Sequence, residues 1–162
     1  MSNEMTKNDI KKIEEEIEHR KLVVRKEAIE AVKEARAQGD LSENFEYYAA
    51  KRDKNINESR IRYLERLIKT ANIIEDDTKE DEIGLYSIVD LYLEEDEEEM
   101  KVKVVTSIRG DSMKGLISID SPLGKTLKGH KIGDKLYVKV SDDYGYYVVV
   151  KNTHKTFDDG SD

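Results

Sequence analysis

Residues 7–38 contain neither Gly nor Pro, and a second unbroken stretch runs on from about Glu43 into the seventies. Between them lies one short break, Gly39-Asp40-Leu41-Ser42-Glu43-Asn44-Phe45-Glu46-Tyr47. In the first stretch, apolar side chains recur at Ile10, Ile13, Ile17, Val24, Ala28, Ala31 and Ala35, in steps of three, four and seven that place them on one helical face. The passage from Ile to Ala along this face predicts closer helix approach toward the break. In the second stretch, Tyr48, Ala49, Ile56, Tyr63, Leu64, Leu67, Ala71 and Ile74 repeat the pattern. Gln38-Gly39 offers a helix C-terminal cap, since Gly adopts the left-handed conformation at little cost. Two helices joined by so short a turn pack antiparallel. At 1.5 Å per residue each arm is roughly 45 Å long.

Beyond Glu75 the pattern changes. Glu75–Glu82 is a polar run with the character of a linker, at 76–82, and the chain then alternates with period two. Strands are predicted over 85–93, 101–105, 116–119, 136–140 and 146–150, the last two joined by a hairpin at Asp142-Asp143-Tyr144-Gly145. Ser121-Pro122 opens a short helix that stops at Gly129: Ser caps, Pro suits the first turn, and Gly ends it. The acidic run Glu94–Glu99 reads as a solvated loop, because like charges repel and stay extended. The fold class expected is α+β: an N-terminal antiparallel coiled-coil hairpin over 1–75, then a small antiparallel sheet domain with one short helix over 83–155, and a disordered tail at 156–162.

Composition excludes several functions. Charged residues make up 40% and hydrophobic residues 37%, which suits long solvated elements better than one large core. With no Cys, neither a disulfide framework nor a thiolate metal site is available. The three His residues, His19, His130 and His154, stand far apart. No apolar run approaches a membrane span, and the first residues lack a signal-peptide core, so a cytoplasmic protein that does not enter membranes is expected. The net charge of −8 resides in the second half, residues 6–75 being close to neutral. An acidic second half argues against phosphate binding there.

Glu34-Ala35-Arg36-Ala37-Gln38-Gly39-Asp40-Leu41-Ser42-Glu43-Asn44-Phe45-Glu46-Tyr47 strongly resembles the hairpin tip of the bacterial transcript-cleavage elongation factors, the GreA/GreB family. Glu58–Glu65 and Ala71–Ile74 are similar to that family's second helix. Gly115–Gly124, followed by Gly133-Asp134, resembles its C-terminal domain. The likeness runs in order along nearly the whole chain. It implies an FKBP-like fold for the sheet domain, which would dock on the rim of the RNA polymerase secondary channel. The coiled coil would then reach the active site, where two tip acids help hold a second Mg²⁺ and activate water, so that the polymerase cleaves its own backtracked RNA. By position those acids are Asp40 and Glu43, and the docking residues are Asp120, Ser121 and Pro122. The implied partners are RNA polymerase and the nascent RNA 3′ end. The protein would act as a monomeric accessory factor with no active site of its own, and with Mg²⁺ bound only in the polymerase complex. The chain departs from the family at Arg25-Lys26-Glu27, where Arg-Pro-Glu is frequent, and at Phe45, where Ala is usual.

The same residues admit plainer roles. Asp40-x-x-Glu43 has the spacing of a capping box, with Ser42 as an alternative cap. Arg36, Lys51, Arg52 and Lys54 lie near the tip and would bind extruded RNA, or else pair with Glu34, Glu46 and Asp53. Tyr47 and Tyr48 are expected to pack at the hairpin neck. Asp120-Ser121-Pro122 is in itself ordinary capping chemistry. Two other functional readings remain: a channel-binding regulator that does not promote cleavage, and a coiled-coil module unrelated to transcription.

Overall fold

The computed structural model describes residues 3–38 and 44–156. The chain divides into two units, one of residues 9–71 and one of residues 1–8 with 72–162.

The first unit is a helical hairpin. Its ascending arm is helix α1 (Lys7–His19), a π-helical segment (Arg20–Val24) and helix α2 (Arg25–Ala37). Its descending arm is one continuous helix, α3 (Phe45–Lys69). The arms are antiparallel, as the pairs Glu16–Arg60, Arg20–Asn57, Arg25–Glu58 and Arg36–Tyr47 show. In α3 the inward positions are Tyr47, Ala50, Lys54, Asn57, Ile61, Leu64 and Ile68, in alternating steps of three and four without interruption. That is the heptad rhythm of a coiled coil.

The ascending arm breaks this rhythm once. Ile13, Arg20, Ala28 and Ala35 turn inward at intervals of seven, eight and seven residues. The extra residue is absorbed by the π segment, where the Arg25 amide donates to the Arg20 carbonyl five residues back. Without it, a strict seven-residue repeat would turn Glu27 and Glu34 inward, and both are exposed. Two expectations from sequence are corrected here. Ala31 is exposed and Val32 occupies the seam, because residues beyond the π segment are shifted by one. On α3, Tyr48, Ala49, Ile56 and Tyr63 are exposed, because the seam runs one position over, through Ala50, Asn57 and Leu64.

A belt of ion pairs spans the π segment. Arg25 donates to both oxygens of Glu58, at 2.9 and 2.8 Å. Glu16 accepts from Arg20 at 2.6 Å and from Arg60 at 3.1 Å. The Arg25 hydrogen bonds hold the Glu58 carboxyl below its ordinary value. Partial burial pushes the Glu16 carboxyl up, but hydrogen bonds from Arg60 and Arg20 outweigh it and bring it below the usual range.

The second unit is built on a five-stranded sheet. Strand β1 (Asn3–Met5) pairs with β2 (Ala71–Ile73) as a separate two-stranded sheet, which the period-two pattern does not predict. The main sheet holds β3 (Ser87–Leu93), β4 (Glu98–Val105), β5 (Leu116–Ser118), β6 (Lys135–Lys139) and β7 (Gly145–Lys155), in the order β5-β4-β3-β7-β6. Neighbours are antiparallel except β4 and β5, which run parallel, so the sheet is mixed rather than wholly antiparallel. Two short 3₁₀ turns, Ser107–Arg109 and Ser112–Lys114, lie in the connection that brings the chain back in the same direction. Glu98 and Glu99 already belong to β4, so the acidic loop is Glu94–Glu97 alone.

Alternate residues of the strands enter one core: Val89 and Leu91, Val102 and Val104, Leu136 and Val138, Val148 and Val150. Helix α4 (Pro122–Leu127) closes it with Leu123 and Leu127, and Ile83 fills it from the preceding segment. Residues 76–82, read from sequence as a linker, make ion pairs within this unit: Lys155 with Asp76 at 2.7 Å, Lys128 with Asp77 at 3.4 Å and Lys131 with Asp81 at 3.2 Å. Thr156 also belongs here, donating from its amide to the Tyr86 carbonyl at 3.1 Å. The rest of the expected tail, residues 157–162, lies outside the described residues.

Two outcomes follow from these contacts. A Cβ at Gly124 would stand 2.1 Å from the Ser118 carbonyl oxygen, so Gly124→Ala forces α4 off β5. It should lower unfolding stability by about 1–3 kcal/mol in a denaturant titration. The Glu16 and Glu58 carboxyls, both held below the unfolded value of 4.5, stabilise the hairpin fully above that pH and progressively lose this effect as pH falls through their folded values. The helical melting temperature of the native chain should therefore drop more between pH 6 and pH 3, on the order of normal carboxylate titration, than that of Glu16→Gln/Glu58→Gln.

Candidate functional site: the hairpin connection and the start of the short helix

The connection between the arms begins after Ala37, where α2 ends, and finishes at Asn44. Asp40 and Glu43, the acids singled out from sequence, fall by number inside it and lie outside the described residues. What starts α3 is Asn44. Its Oδ1 accepts from the Tyr47 amide at 3.0 Å, and its Nδ2 donates to the Ala35 carbonyl at 2.5 Å. One amide side chain thus caps the descending helix and ties it to the end of the ascending one. The second helix starts at Phe45 rather than near Glu43, and its cap is neither Asp40 nor Ser42. A capping box built on Asp40 and Glu43 would need the helix to begin earlier.

The cations expected near the connection separate into three kinds. Arg36 donates from Nη2 to the Tyr47 hydroxyl at 3.3 Å and lies 5.5 Å over its ring. That hydrogen bond holds the Tyr47 phenol below its ordinary value. Lys51 and Arg52 are exposed, and with Tyr48, Asn55, Ile56 and Ser59 they line an open groove of about 420 Å³. Lys54 is half-buried on the seam and is not part of that surface. Tyr47 packs at the neck as expected, whereas Tyr48 is 53% exposed. Phe45 is 84% exposed at the first turn of α3.

The second candidate cluster sits where β5 passes into α4. Ser121 accepts from the Gly124 amide at 3.1 Å and donates to the Ser118 carbonyl at 2.6 Å. Its hydroxyl is therefore consumed in capping α4. Asp120 is exposed, and its Oδ2 accepts from the Ser107 hydroxyl at 2.8 Å. Pro122 is exposed at the first helical position, where its missing N–H costs nothing. Asp120 also borders an open cleft of about 390 Å³, with Glu4, Glu75, Asp76, Leu85 and Lys125 around it. Asp120 and Pro122 thus present a surface, and Ser121 holds it in place.

Sequence reasoning passed over Asn44 and Asn57. Asn44 carried a recognisable signal, a capping residue type three before Tyr47. Asn57 carried none, because its partner is 37 residues away. Among the described residues, no group of three or more His, Asp or Glu side chains is placed to hold a metal ion. No described helix is long and apolar enough to cross a membrane.

Residues 3–73 match the family model described as transcription elongation factor, N-terminal, and residues 78–152 match transcription elongation factor, GreA/GreB, C-terminal. The chain belongs to the GreA/GreB family of transcription elongation factors. The transcription elongation factor GreA of Thermoanaerobacter pseudethanolicus is 44% identical over 137 residues, covering 84% of this chain and 87% of that protein. The GreA of Geobacillus kaustophilus is 44% identical over 144 residues, covering 86% and 91%. Among solved structures, GreA factor homolog 1 of Thermus thermophilus is 28% identical and covers 95% of this chain and 99% of its own, with a TM-score of 0.44. The two family matches meet between residues 73 and 78, beside the border at 71–72 that separates the two units of this Gre-type factor.

The cap makes a simple prediction for this Gre-family hairpin. Asn44→Ala removes the acceptor for the Tyr47 amide and should cost about 1 kcal/mol, with Asn44→Asp close to native. Chemical denaturation followed by helical circular dichroism measures both.

Proposed function

We propose that this chain binds RNA polymerase through the secondary channel and stimulates cleavage of backtracked nascent RNA, with Asp40 and Glu43 as the carboxylates delivered to the polymerase active site. The observation that carries this reading is the cap made by Asn44. Asn44 fills the N-cap position of α3 and accepts from the Tyr47 amide, so the cap residue itself is neither acid.

Two carboxylates make a hard-oxygen donor set that fits Mg²⁺ but does not complete it. A Mg²⁺ ion normally keeps several waters and takes one or two carboxylates, the remaining ligands coming from substrate or partner. Shared in that way, the ion would lower the pKa of the attacking water.

The rest of the work falls to this chain's own side chains. The seam holds the two arms together, and the hairpin would carry the connection into a channel. Arg36 is engaged with Tyr47 and stiffens the neck, whereas Lys51 and Arg52 face outward and offer charge to an RNA phosphate. On the other unit, Asp120 and Pro122 provide the polymerase contact, and Ser121 acts by fixing the turn that bears them. The chain functions as an accessory factor and not as an enzyme in its own right.

The test is a stalled, backtracked elongation complex with Mg²⁺, followed by RNA length. The native chain should shorten the 3′ end. Asp40→Asn and Glu43→Gln should each reduce the cleavage rate by about 100-fold or more while competing normally for the polymerase. Asp120→Ala should instead raise the concentration needed for half-maximal cleavage, with the maximal rate kept. Tight binding without cleavage by the native chain would favour a channel-occupying regulator.

A further inference from the structure

The main sheet of the second unit has two faces, and α4 covers one of them. The other carries the alternate residues of the same strands. At its β4 end that face is closed by Leu85, Tyr86 and Val105. Across β3, β7 and β6 its side chains are exposed or half-buried. Each of these strands turns one tyrosine to this side. Tyr137 and Tyr147 stand opposite each other in the β6–β7 register, with ring centroids 4.9 Å apart. Tyr92 is opposite Val149, the next residue of β7 on this face. Tyr137 and Tyr147 are 49% and 45% exposed. A Cβ at Gly145 would run into the Tyr137 ring, so this glycine lets the ring lie down against β7.

Lysines are interleaved with these rings. Lys135 Nζ lies 5.1 Å from the centroid of Tyr147, and Lys151 Nζ lies 5.4 Å from that of Tyr92. Lys151 owes its place to a bulge: β3 and β7 shift register between Asp90 and Leu91, and Lys151 is the residue left over. A bulge re-aims the side chain it adds. Against Lys135, Lys139 and Lys151, the acid that these three strands turn to this side is Asp90, which Lys101 engages at 3.9 Å. The acidity of the second half, which as a whole argues against phosphate binding, gathers instead at residues 75–82 and 94–99. Lys135 reaches Glu94 at 3.1 Å and Lys139 reaches Asp142 at 3.5 Å, in surface pairs that are weak and screened by salt.

Rings and cations alternating on a sheet face suit one class of ligand. A base stacks on a tyrosine more strongly than an exposed lysine is held there, so an arriving base displaces the lysine and frees it for the neighbouring phosphate. An acidic peptide would use the lysines and leave the rings idle. Asn152, opposite Asp90, is exposed on the same face, and its amide can pair with a 2′-hydroxyl, which DNA lacks.

We infer that this face is a binding platform for single-stranded RNA, on which Tyr92, Tyr137 and Tyr147 stack bases and Lys135, Lys139 and Lys151 meet phosphates. The platform belongs to the second unit alone and does not depend on the roles proposed for Asp40, Glu43 and Asp120.

The experiment titrates the full chain into a labelled oligouridylate RNA of about ten nucleotides and follows fluorescence anisotropy. The native chain should bind. Tyr137→Ala/Tyr147→Ala should weaken binding about tenfold or more, whereas Tyr137→Phe/Tyr147→Phe stays near native because the ring faces remain. Lys151→Gln should reduce the slope of log affinity against log salt by about 0.7. Oligodeoxyuridylate should bind more weakly than the RNA, and polyglutamate should not displace it. Lys51→Gln/Arg52→Gln, on the hairpin, separates this surface from the RNA contact proposed there, and the loss caused by the alanine pair should persist in that background. No binding by the native chain, native affinity in the alanine pair, or a loss confined to the hairpin variant would each overturn the inference. Displacement by polyglutamate would overturn it as well, since the surface would then answer to charge alone, and equal affinity for the DNA would overturn the assignment to RNA. If the alanine pair does not fold, Lys151→Gln at its exposed position decides, an unchanged salt slope counting against the platform.

Discussion

The hairpin depends on reconciling two helices whose seams are not commensurate. The descending arm keeps a strict three-four alternation, whereas the ascending arm has eight residues where seven would be expected. A single π segment takes up the difference and lets Ala28, Val32 and Ala35 face α3 while Glu27 and Glu34 stay in water. Burying either Glu would cost far more than the weaker geometry of one π turn. The polar belt of Glu16, Arg20, Arg25, Asn57, Glu58 and Arg60 collects at this place because the local backbone and the local polarity are both unusual there.

The sheet unit solves a different problem, which is to present a short polar turn on a rigid base. Core side chains from four strands and α4 fix the floor, and Gly124 permits α4 to lie against the Ser118 carbonyl. Ser121 then spends its hydroxyl on the backbone, so that Asp120 and Pro122 are left to face outward. The cap thus rests on Ser121, and Asp120 can be substituted without touching it.

Much of this was legible in the sequence. The Gly- and Pro-free stretches announced the hairpin, period two announced five of the seven strands among the described residues, and Ser121-Pro122 announced α4 and its cap. The failures share a cause. Apolar character at fixed spacing puts Ala31, Tyr48, Ile56 and Tyr63 on the seam, and neither a one-residue insertion nor a seam containing Lys54 and Asn57 leaves an apolar trace. Strands β1 and β2 have three residues each, too few for an alternation to be seen. Asn44, Asp40 and Ser42 are similar caps by residue type, so the sequence does not choose among them.

The central proposal is geometric: the hairpin would bring the two acids of its connection beside a metal that another molecule holds. A structure of this chain bound to a backtracked RNA polymerase tests it most directly. The account predicts carboxylate oxygens of Asp40 and Glu43 at about 2.1 Å from a second Mg²⁺, next to the RNA phosphate to be cleaved. A complex in which the sheet unit is seated on the polymerase but both carboxylates lie away from any metal would contradict it.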